Sequence, residues 1–311
     1  MKRLLLNLIT GFSILFSFST AFALQLPGAL VSTEWLQGNL ADKSLVVIDL
    51  RKETANDDYK KAHIPGARFI AWEDVRAEGP NQEGAKLEYK VPTPAEFEKY
   101  IQALGVNADS NVVIVSTWED PSSAAMATRL YWTMKYYNHS SVAVLDGGMT
   151  RWKAENKSVD AGAVASAPGN FKAMHANEGI RATSATVLSA HEKKSALILD
   201  ARTPDFFKGE KKKDYVGAAG HIPGAINTPM TELIDPATKR LKSAESLKEL
   251  FNSKGLKSDK AVIVYCDSGH LSTLEWFALK EVAGFQDVKQ FDSSLHEWTK
   301  SQARPMTTDK Q

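Results

Sequence analysis

A single cysteine, Cys266, and the run that follows it, Asp267-Ser268-Gly269-His270-Leu271, hold the residue types best placed for nucleophilic chemistry. Before the thiol runs Val262-Ile-Val264, a continuous β-branched stretch that predicts a buried strand. After it, Leu271, Leu274, Ala278 and Val282 recur at helical spacing. Cys266 is therefore expected on a tight strand-to-helix turn, where backbone N–H groups converge and the helix start favours negative charge. A cysteine in that setting is available as thiolate, and a thiolate facing an anion cradle is a nucleophile. Gly269 supplies the backbone freedom for the loop to curl around the sulfur. The side chains of Ser268 and His270 flank the thiol, where they can meet a donor or acceptor or stand as solvated loop residues. The plainer role for a lone cysteine at a strand end is that of a small buried hydrophobe. The turn chemistry argues against it here.

The elements that must position this loop are written twice. Leu45-Val-Val-Ile-Asp-Leu-Arg51 returns as Leu197-Ile-Leu-Asp-Ala-Arg202, and His63-Ile-Pro-Gly-Ala67 returns as His221-Ile-Pro-Gly-Ala225. Asn111-Val-Val-Ile-Val-Ser-Thr117 matches Lys260-Ala-Val-Ile-Val-Tyr-Cys266. Val144-Leu-Asp-Gly-Gly-Met-Thr-Arg-Trp152 matches Gln290-Phe-Asp-Ser-Ser-Leu-His-Glu-Trp298. A domain-sized period with preserved order means duplication of a whole domain. Short buried strands alternate with helical patterns in each copy, as in Pro94–Gly105, which opens on Pro and closes on Gly. That alternation predicts an α/β fold with a central parallel sheet flanked by helices. The chain divides into a leader (1–23), an N-terminal domain (24–158), an Ala- and Gly-rich linker (159–180), a C-terminal domain (181–305) and a tail (306–311).

With these motifs in family order, the chain resembles the tandem-domain rhodaneses, a family of sulfurtransferases. The likeness covers nearly all of the chain after the leader. It implies two rhodanese-like domains, an active C-terminal copy and an N-terminal copy that has lost its cysteine, here Thr117. It also implies a reaction: Cys266 takes the sulfane sulfur of a donor as a persulfide, and a thiophilic acceptor then removes it. Loop N–H groups from Asp267 to Leu271 would hold the persulfide anion. The resemblance also exposes departures. Phe206 stands where donor-binding members carry an arginine, and Asp267 and Ser268 stand where thiosulfate-type loops are basic. A second family arginine falls near Lys213, which makes Lys213 a candidate donor-binding residue within Lys211-Lys-Lys213. Arg51 and Arg202, His63 and His221 occur in both copies, active or not, and are expected to support the fold. His296 and the tryptophans are assigned to packing or surface. A phosphatase or arsenate reductase would need an arginine six residues after the cysteine, and that place holds Ser272. A non-catalytic module that carries sulfur to a partner, or only binds one, is the remaining alternative.

Composition narrows the setting. The chain has 311 residues, 24% charged and 43% hydrophobic, with a formal net charge of +1. So balanced a charge gives no reason to expect nucleic acid or an anionic membrane surface as partner. No His, Cys and carboxylate group shows metal-ligand spacing, so neither metal nor cofactor is expected. Lys2-Arg3, the apolar run from Leu4 to Phe18 and Ala21-Phe-Ala23 read as a secretory leader cleaved after Ala23. The expected location is periplasmic or secreted, with no membrane anchor after cleavage. The expected partners are a small sulfur donor and a thiophilic acceptor, a protein acceptor among them.

Overall fold

The computed structural model of the chain describes residues 23–81 and 83–309. The expected leader, 1–23, lies outside them but for Ala23. Among the described residues no helix is long and apolar enough to cross a membrane.

The first copy contributes β1 (Leu30–Val31), α1 (Thr33–Asn39), β2 (Leu45–Arg51), α2 (Asn56–Lys61), β3 (Arg68–Ala71), a hairpin of β4 (Ala77–Pro80) and β5 (Lys86–Lys90), α3 (Pro94–Ala103), β6 (Asn111–Val115), α4 (Pro121–Tyr136), β7 (Val142–Leu145) and α5 (Gly148–Ala154). Its sheet runs β1-β7-β6-β2-β3 with every neighbour parallel. The second copy contributes β8 (Arg181–Ala182), α6 (Ser184–Lys193), β9 (Leu197–Asp200), α7 (Pro204–Phe207), β10 (Ile226–Asn227), α8 (Ala244–Ser253), β11 (Val262–Tyr265), α9 (Leu271–Phe277), β12 (Val288–Phe291) and α10 (Ser294–Trp298). Its sheet runs β8-β12-β11-β9-β10, again all parallel. Replacing each strand of the first sheet by its repeat partner reproduces the second, so the duplication extends to topology.

Local chemistry sets the element ends. Helix α3 starts on Pro94 behind a reciprocal capping box of Thr93 and Glu96, and it stops two residues before Gly105, whose φ is +69°. The helix after the cysteine is shorter than its apolar spacing suggests. It keeps α geometry to Phe277 and then widens into a π turn over Ala278–Val282, closed by Ala283 N–H donating to the Ala278 carbonyl. The segment between the copies has no helix or strand from 161 to 177, yet it is strapped down. Asp160 bridges His63, Gly169 N–H donates to the Gln102 carbonyl, and Phe171 is buried edge-on against Phe97.

The duplicated polar residues hold corresponding positions. Arg51 forks onto Asp49 with two 2.7 Å bonds, and Arg202 forks onto Asp200, all four side chains buried. His63 stacks on Tyr59 and His221 on Phe207, and each bonds the carbonyl of its stacking partner through Nδ1. These contacts tie the first β–α crossover of each copy to its Pro-Gly turn, as expected of supports.

The copies also share one core. Helix α4 packs on α9, with Tyr131 edge-on to Phe277 at 4.9 Å and the Thr128 and Thr273 hydroxyls bonded at 3.1 Å. Each copy's loop after its central strand is covered by the other copy. Arg240 and Leu241 bond Asp146 beside the first loop, and Val91 N–H bonds Asp292 beside the second.

Candidate active site

Cys266 follows the last residue of β11, at the centre of the second sheet, and its side chain is fully buried. Its backbone is fixed on both sides. Cys266 N–H donates to Ser294 Oγ at 3.0 Å, and its carbonyl accepts Leu295 N–H. The neighbouring Asp267 carbonyl accepts His296 N–H at 2.8 Å. Asp267 itself turns inward to Arg202 Nη1 at 3.1 Å, so the first loop side chain joins the Arg202–Asp200 fork. Burial raises its carboxyl above the ordinary range, against the pull of Arg202.

Gly269 makes the sharp turn with φ +73°, where an added Cβ would meet Ser293 N at 3.0 Å. Its carbonyl accepts Arg129 Nη1 from the other copy at 3.0 Å. Arg129 also bonds Asp292 at 2.7 Å, with both side chains only 1% exposed. The Cys266 loop is thus held by a buried ion pair that crosses between the domains.

One hydrogen bond to the sulfur is made among the described residues. Ser272 Oγ donates to Cys266 Sγ at 3.4 Å. Gln290 Nε2 donates to Ser272 Oγ at 2.7 Å, which leaves the hydroxyl proton free for the sulfur. The same Gln290 nitrogen meets the carbonyls of Phe291 and Gly269, three acceptors that identify it as the amide nitrogen. The sequence reading used Ser272 only to exclude an arginine. Its position makes it the side-chain donor to the sulfur among the described residues. Main-chain donors from Asp267 to Leu271 make no such bond to Sγ. His270 caps α9 without a side-chain bond, and Thr273 N–H donates to the His270 carbonyl, so among the described residues the Leu271 and Ser272 N–H groups keep their capacity for an atom added beyond the sulfur.

The remaining expected residues separate clearly. Ser268 is partly exposed and faces the hydroxyl of Tyr215, which burial keeps protonated well above the ordinary tyrosine range. His270 is largely buried rather than solvated. Its ring lies 4.3 Å from Trp72, and Nε2 donates to the Ser122 carbonyl at 3.0 Å, leaving Nδ1 as a bare acceptor. Burial, helped by the Arg76 charge, pushes its pKa down to about 3, so the imidazole is neutral. Leu271 opens α9 and packs on the shared core. Lys213 is exposed, sits 5.5 Å over the Phe206 ring and lends positive charge to Asp267. Its neighbours are committed elsewhere, Lys211 to Asp205 at 2.8 Å and Lys212 to the Val216 carbonyl at 3.1 Å.

Three residues of the first copy that the sequence reading did not select also face this loop. Trp72 covers His270, Tyr89 lies 5.0 Å from Tyr215, and Arg76 sits between Trp72 and Tyr89 at 4.6 and 5.0 Å. His296, assigned to packing or surface, stands inside this group. It is 2% exposed, with Nδ1 donating to the Tyr215 carbonyl and Nε2 accepting Glu88 N–H. A comparison of the copies would have found one missed group. Asp146-Gly-Gly in the first copy becomes Asp292-Ser-Ser in the second, with Ser293 and Ser294 at φ +61° and +49°. Gly148 has no room for a Cβ, which would fall 2.2 Å from the Ser116 carbonyl, whereas Ser294 carries the hydroxyl that caps Cys266.

The first copy's loop is built differently. Asp120 caps α4 and accepts Ser123 N–H, and Pro121 removes a donor. A cavity of about 440 Å³ opens there, lined by Thr117 and by both acids and bases, Glu119, Asp120, Lys52 and Lys153 among them. It offers neither a thiol nor an uncommitted cradle.

The two five-stranded parallel sheets, each with its loop after the central strand, define a tandem α/β protein with one thiol-bearing site. The rhodanese-like domain family matches residues 32–155 and 183–301, and the chain belongs to that family. It is 33% identical over 285 residues to the sulfur carrier protein TtuD of Thermus thermophilus, covering 88% of this chain and 94% of that protein. It is 30% identical over 276 residues to the 3-mercaptopyruvate sulfurtransferase of Escherichia coli, covering 86% and 94%. The crystal structure of the 3-mercaptopyruvate sulfurtransferase SseA from Escherichia coli superposes with a TM-score of 0.73 at 28% identity, covering 86% of this chain and 98% of that one.

Proposed function

We propose that the protein is an exported sulfurtransferase that works through a Cys266 persulfide. The observation that carries the reading is the second copy's loop, in which a lone thiol is pinned at the end of the central strand and hydrogen-bonded by Ser272. The relatives' names, which speak of sulfur carriage and transfer, support it. In the first half-reaction the Cys266 thiolate attacks the outer sulfur of a donor R–S–SH. The donor S–S bond breaks, its electron pair leaves with the inner sulfur as R–S⁻, and Cys266 keeps the outer sulfur and its proton. An acceptor nucleophile then attacks that outer sulfur, and Cys266 departs as thiolate. No external oxidant is needed. The Leu271 and Ser272 N–H groups at the start of α9 suit the extra sulfur, and neutral His270 keeps Nδ1 as an acceptor in the same loop.

For the donor we infer an organic persulfide in preference to thiosulfate. A compact dianion needs cationic partners to offset its desolvation, and charged contacts contribute roughly 1.5–3 kcal/mol each. Phe206 and Ser268 supply none, Lys211 and Lys212 bond elsewhere, and Lys213, over the Phe206 ring, is a flexible point charge without arginine's fork. Two missing contacts amount to about 3–6 kcal/mol, or roughly two to four powers of ten in kcat/KM. The test compares kcat/KM for thiosulfate, 3-mercaptopyruvate and an organic persulfide. Thiosulfate turnover equal to the best of the others would overturn the inference.

A second reading has its own observation. The buried thiol and the sulfur-carrier relative fit a protein that loads once and hands sulfur to a partner. Single loading without turnover on any small acceptor would favour it. Export rests on the leader residues, and N-terminal sequencing that finds Leu24 first would support it. A chain that begins at Met1 and stays in the cytoplasm would refute it.

A further inference from the structure

Arg76 is an arginine without a settled partner. Its Nε is buried and makes no hydrogen bond among the described residues. Glu73, the carboxylate whose charge reaches it, instead accepts Glu53 N–H at 2.9 Å. Two aromatic faces, Trp72 and Tyr89, hold the guanidinium, and burial works against its charge. Such a group gains most from an anion that arrives from outside.

Its position gives that anion a purpose. Trp72 passes from Arg76 to His270, and Tyr89 passes from Arg76 to Tyr215, whose hydroxyl faces Ser268. Arg76, Tyr89, Tyr215, Ser268 and His270 are all partly exposed, while Cys266 is fully buried. These five side chains gather beside the loop that carries the thiol, two from the first domain and three from the second, and Arg76 is the cation among them.

We propose that Arg76 binds the anionic group of the sulfur donor, so that the first copy, which has no thiol, supplies donor recognition to the second. The inference rests on Cys266 being the sulfur acceptor. A ring's width separates Arg76 from the loop, so the donor carries its anion, a carboxylate, at a short organic distance from the sulfane sulfur. A planar guanidinium between two rings receives a carboxylate through two parallel N–H bonds, which lysine cannot reproduce.

The test uses the persulfide of 3-mercaptopropanoate and the persulfide of its methyl ester, which differ only in the carboxylate. Sulfur gain on Cys266 is followed by mass spectrometry in the parent chain, Arg76→Gln and Arg76→Lys. Loss of the charged contact is expected to slow loading from the carboxylate donor about 10–100-fold, with the ester unaffected and Arg76→Lys intermediate. Equal slowing of both donors, or of neither, would overturn the proposal. Calorimetry with 3-(methylsulfanyl)propanoate, which has no sulfur to transfer, separates the subsite from the chemistry. Binding to the parent and not to Arg76→Gln supports the subsite even where no sulfur reaches Cys266, and that failure would count against the persulfide reading alone. Equal binding to both chains would overturn the subsite.

Discussion

Arg129→Met removes the residue on which both the domain interface and the active loop depend. The guanidinium bonds Asp292 and the Gly269 carbonyl from a site 1% exposed. Taking one partner from a buried ion pair costs about 3–5 kcal/mol, because the other charge stays buried and poorly compensated. Asp292 would keep Val91 N–H and a longer contact with Arg181 at 3.9 Å, which places the cost toward the lower end. At about 2–4 °C per kcal/mol, the melting temperature should fall by roughly 6–20 °C. Thermal unfolding by circular dichroism measures it. The double variant Arg129→Met with Asp292→Leu should recover most of that loss, since apolar replacement of a whole buried pair is often neutral. It should not recover sulfur transfer, because the Gly269 carbonyl then keeps only the 3.5 Å contact with Gln290. A single variant that melts within about 2 °C of the parent, less than one kcal/mol by the same scale, would show that the pair contributes nothing and refute the reasoning.

Ser272→Ala should lower kcat/KM about tenfold or more while leaving the fold intact, since a hydrogen bond to a charged atom contributes roughly 1.5–3 kcal/mol. Unchanged kcat/KM would mean the hydroxyl does not serve the sulfur. Glu275, fully buried in α9, has its pKa raised by burial to about 8, against the pull of the Thr228 hydroxyl. The unfolded value is near 4.3, so across that window the folded state binds more protons and stability falls as pH rises. Glu275→Gln lacks this penalty, so its melting temperature should gain on the parent's from pH 5 to pH 8 and level off above; a pH-independent difference would contradict the assignment.

Much of this architecture is legible in the sequence because repetition amplifies weak signals. No one of the four paired motifs is decisive, but their order, found twice, implied two α/β domains with parallel sheets. Strand-Cys-x-x-Gly located the loop because continuous β-branched residues and a glycine each have a direct backbone consequence. What stayed hidden lies across the interface. Trp72, Arg76 and Tyr89 lie a whole domain before the loop they cover, and no local period links them to it. Ser272 and Gln290 were illegible for a related reason, since they meet only when α9 packs on β12. His296 read as ordinary packing because its neighbours, Tyr89 and Tyr215, come from two domains. The Asp292-Ser-Ser change was visible in the repeat itself, and the hydroxyl it places on Cys266 N–H gives it meaning.

The most direct measurement is a mass spectrum of the parent chain, Cys266→Ser and Thr117→Ala after incubation with an organic persulfide, followed by transfer to a thiol acceptor. One added sulfur on the Cys266 peptide is predicted in the parent and in Thr117→Ala. Neither the adduct nor transfer is predicted in Cys266→Ser, whose melting temperature should stay near the parent's because the loop is held by Ser294, Arg129 and Arg202 rather than by the thiol. Transfer at the parent rate by Cys266→Ser would contradict the account.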